Sequence, residues 1–99
     1  MSNVKRWFVS RHPGALEWLA TQQVIVDEVV PHLNVADVAK GDYVYGTLPI
    51  NLVAEICAKG AFYLHLSLQI PAQWRGQELT LEQLKACQAH FQAFTASAL

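Results

Sequence analysis

No apolar run in this chain approaches the roughly twenty residues that a helix needs to cross a bilayer, and its start is polar and basic before a short apolar stretch. Neither a membrane span nor a secretory signal is expected, which points to a cytoplasmic protein without membrane contact. The chain also lacks an excess of either charge. Seven Lys and Arg against eight Asp and Glu give a net charge of −1, too few cations for the broad basic footprint with which proteins grip duplex DNA. An anionic ligand would have to be met by a small local cluster. Cysteine is scarce: Cys57 and Cys87 fall in segments that read as amphipathic helices, where reduced packing residues are expected in place of a disulfide. The five glycines form no G-x-G-x-x-G and no lysine-bearing phosphate loop. His12, His32, His65 and His90 show no H-x-x-x-H spacing and the cysteines no C-x-x-C, so neither a metal site nor a cofactor is expected. Asp27, Glu28, Asp42 and Glu55 suggest no paired carboxylates for magnesium.

What the chain does have is apolar surface. At 99 residues, 53% hydrophobic and 15% charged, it has material for one domain, 1–99, and more apolar surface than a small soluble monomer usually shows. A homodimer is the expected way to cover the surplus. Residues 4–10, VKRWFVS, read as a buried strand. Pro13 opens a helix through ALEWLATQQ. The valine-rich VIVDEVVPHL reads as a second strand ending near Pro31. After the polar link NVADVAKGD, the segment DYVYGTLP repeats the opening order of strand, glycine or polar turn and proline, leading to a helix over 50–60 with Gly60 as its cap.

AFYLHLSLQIP alternates, with Phe62, Leu64, Leu66, Leu68 and Ile70 on one face and Tyr63, His65, Ser67 and Gln69 on the other. That polar face predicts an edge strand or a dimer contact. The last helix is predicted to start at Thr80, with a Thr80–Gln83 capping box, and to bury Leu81, Leu84, Cys87, Phe91 and Phe94. The order strand, helix, strand, strand, helix, strand, helix gives an α/β sandwich with a mainly parallel sheet. Such sheets bind ligands beyond the carboxyl ends of their strands.

Two strand ends are the candidate site. Ser10, Arg11 and His12 follow the first strand, where a helix N-terminus favours an anion; the plain alternative is that Ser10 caps the helix and Arg11 is a solvated charge. Gly46, Thr47 and Leu48 follow the third strand and would lie beside the first turn if the two strands are parallel neighbours, although glycine and proline there also suit an ordinary bend. His32 follows the second strand. In the loop before the last helix, Trp74 has the chemistry to stack on a base and Arg75 to pair with a phosphate, unless Trp74 simply covers the core.

Taken together, WFVSRHPGALEWL, the histidine of PHL, GDYVYGTLP, the YLHLSL strand and the WRGQEL loop resemble a small family of CRISPR-associated proteins found beside type III systems. These look like reduced versions of the CARF domain that senses cyclic oligoadenylates. The resemblance implies a Rossmann-like, CARF-like three-layer sandwich and a homodimeric ring nuclease. Such an enzyme binds a cyclic oligoadenylate, cyclic tetra-adenylate first among them, across the dimer axis and linearises it, which ends the antiviral signal. Matched onto this chain, the motifs place Ser10, Arg11 and His12 in one pocket segment, as the catalytic candidates. Gly46 and Thr47 fall in a second segment, and Arg75 with Gly76 in a third. Gly14, His32 and Leu48 complete the ligand-binding set.

The implied chemistry needs no metal. The ribose 2′-hydroxyl of RNA is itself the nucleophile, and the protein has to align it and stabilise charge on the phosphate. Arg11 suits the second task. His12 suits proton exchange, since histidine ordinarily titrates near neutral pH. The products would end in a 2′,3′-cyclic phosphate. A non-catalytic protein that sequesters or reports the same ligand would use the same pocket, and a purely structural module would bind no nucleotide.

Overall fold

Five strands and three helices order residues 4–99, which the computed structural model describes; residues 1–3, part of the polar start of the chain, lie outside the described residues. Strand β1 (Arg6–Val9) runs into helix α1 (Pro13–Ala20), followed by β2 (Glu28–Val30) and a single 3-10 turn at Val35–Asp37. Then come β3 (Tyr43–Gly46), α2 (Ile50–Ala58), β4 (Phe62–Ser67), α3 (Leu81–Ala86) and β5 (His90–Phe94). The sheet order is β2-β1-β3-β4-β5. The first four strands are mutually parallel and β5 is antiparallel to β4.

Successive residues of a strand point to opposite faces, so Trp7 and Phe8, both buried, sort two cores. Trp7, Val44 and Tyr63 pack with Val53 and Ile56 of α2 on one face. Phe8, Tyr45 and Leu66 pack with Ala15, Trp18 and Leu19 of α1 and Leu84 of α3 on the other. The result is the α/β sandwich with a mainly parallel sheet that the residue pattern predicts, with helices on both faces of the sheet.

Three expectations are corrected. The second strand is shorter than the valine-rich run. Val24 and Val26 pack against the core from a loop, and Asp27 turns its carboxylate onto the Arg6 amide (2.7 Å) just before the paired residues. The last helix ends at Ala86, so Phe91 and Phe94 belong to a strand. Gln88 takes a left-handed φ of 58° and reverses the chain. Phe91 then sets its ring edge-on to Phe8, Trp18 and Tyr45. Helical spacing of the two phenylalanines was therefore a coincidence of the segment. Because β5 fills the flank of β4, that strand is interior, and its supposedly outer face carries Tyr63 at 3% exposure.

The polar link before β3 is also structural. Asp42, buried at 3% exposure, accepts from the Lys5 amide (3.0 Å), the Ala39 amide (3.0 Å) and the Trp7 indole (3.1 Å). Burial by itself raises the pKa of this carboxyl. The three donors and the Lys5 ammonium outweigh it and hold the group below its usual value. This clamp ties the start of β1 to the start of β3 and so helps set their register.

Candidate functional site

Strand β1 leads through α1 to β2 on one side of it, whereas β3 leads through α2 to β4 on the other. The connections diverge between β1 and β3, and the crevice of a doubly wound sheet opens at such a point. Val9 pairs with Gly46 at that edge, which brings Ser10, Arg11 and His12 beside Thr47 and Leu48. Adjacency of the two turns, expected only if the strands were parallel neighbours, is thus what the sheet delivers. Gly46 makes the approach possible. It has φ 152°, and a Cβ there would lie 2.7 Å from the Val9 carbonyl oxygen.

Two pockets flank this point and share Val9, Ser10, His12 and Thr47 as a common wall. The first, about 380 Å³, is a cleft that also takes in Arg11, His32, Leu48 and Pro49. The Arg11 guanidinium makes this cleft the cationic side of the site, and the imidazoles of His12 and His32 line it as hydrogen-bonding groups. The second, about 190 Å³, is floored by Phe8, Leu66 and Leu84 under the loop that precedes α3. His12 stands between them as the residue before the first turn of α1, where its side chain caps nothing and is free to face the pockets. Ser10 does not cap the helix either: its Oγ accepts from the His12 amide at 3.2 Å and shapes the turn.

The remaining candidates lie outside both pockets. Gly14 is packed against the Leu79–Thr80 backbone. Arg75 and Gly76 are exposed in the loop, and Trp74 sits half-buried at the end of a 3-10 turn (Ala72–Trp74). What the loop brings to the site is Gln77, Glu78 and Leu79. Glu78 Oε1 lies 3.3 Å from His12 Nδ1. A proton on Nδ1 directed at this carboxylate leaves Nε2 as a proton acceptor, the arrangement a general base requires. No local signal marks Glu78, which is 66 positions from its partner.

Beneath the Gly46–Leu48 turn lies a second group that the pattern had placed on an outer face. The Leu48 amide donates to the Tyr63 hydroxyl (2.9 Å), and that hydroxyl donates to the Gly46 carbonyl (3.0 Å). His65 Nδ1 is 2.7 Å from the same oxygen; with the tyrosine proton committed to Gly46, the imidazole is the donor. Burial pushes the Tyr63 phenol above its ordinary pKa, opposed by the Leu48 amide, so the hydroxyl keeps its proton and the turn stays pinned at neutral pH. The alternation that put Tyr63 and His65 on one face was the available signal.

Among the described residues no three His, Cys, Asp or Glu come together as metal ligands, Cys57 and Cys87 are free thiols, and no helix is long and apolar enough to cross a membrane. No curated protein and no solved structure matches the chain. Residues 7–97 match the family model described as "Putative CRISPR-associated protein (Cas_VVA1548)", and with nearly its whole length inside that match the chain belongs to this CRISPR-associated family.

Proposed function

We propose that this protein is a ring nuclease: it binds a cyclic oligoadenylate, cyclic tetra-adenylate in the first instance, and linearises it, so ending type III CRISPR antiviral signalling. The observation that carries the reading is the convergence of Arg11, His12, His32 and Thr47 on one cleft at the point where β1 and β3 diverge. A phosphodiester there would have the Arg11 guanidinium on its oxygens and an imidazole nitrogen beside its ribose. The CRISPR-associated family supplies the context in which such a ligand would be met.

In the proposed reaction the 2′-oxygen of one ribose bonds to the adjacent phosphorus as the bond from phosphorus to the 5′-oxygen breaks. The 2′-hydroxyl proton passes to His12 Nε2, the departing 5′-oxygen takes a proton from solvent, and His12 returns its own proton to solvent, so that the turnover is proton-neutral. No water is consumed, and the products end in a 2′,3′-cyclic phosphate and a 5′-hydroxyl. Arg11 neutralises the charge that grows on the non-bridging oxygens. We take the acting form to be a homodimer, since a ring with four-fold repeats on a two-fold axis presents equivalent phosphates to both copies. Ile50 and Phe62, 73% and 54% exposed in a single chain, are consistent with a further copy covering apolar surface.

The test is to incubate the protein with labelled cyclic tetra-adenylate in excess EDTA and to separate the products, wild type beside His12→Ala and Arg11→Ala. Linear products ending in cyclic phosphate, reduced at least a hundred-fold in rate by His12→Ala, are expected. A ring that binds and stays intact would make the protein a sequestering one, and a ring neither bound nor cut would refute the nucleotide reading. Sedimentation at the monomer mass with ligand present would remove the two-fold arrangement.

A further inference from the structure

The smaller pocket differs chemically from the cationic cleft beside it. Its floor and rim are carbon: Phe8, Leu66 and Leu84 below, Leu68 and Leu79 at the sides. It has no lysine or arginine in its lining, and its one carboxylate is Glu78, at the mouth. A phosphate placed here would meet a like charge and no cation, so the cavity suits an uncharged, flat, apolar body whose edge donates a hydrogen bond. It also shares the wall Val9, Ser10, His12 and Thr47 with the cleft, so a single nucleotide can span both, its phosphate on the basic side and its base on the apolar side.

We propose that this pocket is a nucleobase subsite and that Glu78 selects a base with an exocyclic amino group, as adenine has. The inference rests on the cyclic-oligonucleotide reading above. Glu78 Oε1 faces His12, which leaves the second carboxylate oxygen for the amino group of the base. A base with a carbonyl in that position, as in hypoxanthine, presents acceptor to acceptor there and can offer its N1–H to the carboxylate only by shifting out of the seat adenine takes, so it binds more weakly. The neighbouring Gln77 donates through Nε2 to the Gln73 carbonyl at 3.1 Å, which braces the loop that carries Glu78. The same carboxylate thus orients His12 and reads the base, so that the correct base and the proton acceptor are held by one group.

The experiment compares rings of tetra-adenylate and tetra-inosinate, both with 2′-fluoro riboses that lack the nucleophile, in competition binding to wild type and Glu78→Gln. Native cyclic tetra-adenylate is assayed for binding and cleavage in the same preparation. Wild type should prefer the adenylate ring by about ten-fold or more. The glutamine amide offers both a donor and an acceptor, so the variant should bring the two rings within about two-fold of each other. Leu68→Trp, which fills the pocket from its side, should weaken both rings together while the melting temperature shows the chain still folded. Equal binding of the two rings by wild type, an undiminished preference in Glu78→Gln, or full binding by folded Leu68→Trp would overturn the base subsite and leave the ring nuclease reading standing. Failure to bind or cut the native ring would overturn both.

Discussion

Replacing Gly14 by alanine should destabilise this fold, against what helix propensity alone would predict. Gly14 lies in the first turn of α1, and alanine in a helix is ordinarily favoured over glycine by about 0.5–1 kcal/mol. Here the added Cβ would stand 1.9 Å from the Leu79 carbonyl oxygen and 3.2 Å from the Thr80 Cα. Carbon and oxygen in weak contact sit about 3.3 Å apart or more, so α1 and the Leu79–Thr80 backbone would have to separate by about 1.4 Å. A backbone carbonyl cannot rotate aside as a side chain can. A gap of this size forfeits at least about half of the dispersion attraction across it, and the groups across it are Ala15, Trp18 and Leu19 against Leu84, all buried. The net cost is about 2–3 kcal/mol, which for a domain of this size lowers the melting temperature by about 10–20 °C. Thermal unfolding followed by circular dichroism measures it, with Glu17→Ala on the exposed side of the same helix as the control expected to stay within about 0.5 kcal/mol. The same displacement would pull His12 from Glu78, so the proposed ring cleavage should fall even well below the melting temperature. A Gly14→Ala protein as stable as wild type would refute the close approach of α1 to the start of α3.

Tyr63→Phe removes the hydroxyl that joins Leu48, Gly46 and His65; it should cost about 1–3 kcal/mol in urea unfolding and weaken the proposed ring binding by loosening the Gly46–Leu48 turn, and an unchanged affinity would show that the turn holds itself. Asp42→Asn puts an amide donor among three donors and should cost about 2 kcal/mol at pH 7. Because the folded carboxyl titrates below its usual value, its contribution is complete above the unfolded pKa of about 3.9 and is lost as pH falls through the lowered folded value. Urea midpoints of wild type and variant should therefore converge in strong acid, and a gap that persists there would contradict the clamp.

The local frame of the candidate site was legible in the sequence, and the features that were not share one physical cause. Strand, turn and helix around Ser10–Pro13 and around Gly46–Pro49 are written in residues a few positions apart, because proline, glycine and apolar periodicity act locally. The same holds for the capping box, whose two bonds form as expected (Gln83 amide to Thr80 Oγ1, 3.2 Å; Thr80 amide to Gln83 Oε1, 3.0 Å), and for Gly60 with its φ of 86° just past α2. The α/β order followed from these units. Which strands become neighbours is a matter of long-range pairing, and only the folded sheet decided it. An open flank of β4 recruited residues 90–94 as β5, although Phe91 and Phe94 have a spacing that suits a helix, because Phe91 gains three aromatic partners there. That pairing buried Tyr63 and turned an apparent outer face into the support of the Gly46 turn. The loop before α3 likewise drew Glu78, and not Arg75, to the pocket, since the close contact of Gly14 with Leu79 fixes which loop residues reach it. The sequence by itself determined the local units and which polar residues stand at two strand ends, whereas the tertiary structure alone decided their neighbours, because contacts between distant residues depend on sheet order and register, which no short segment encodes.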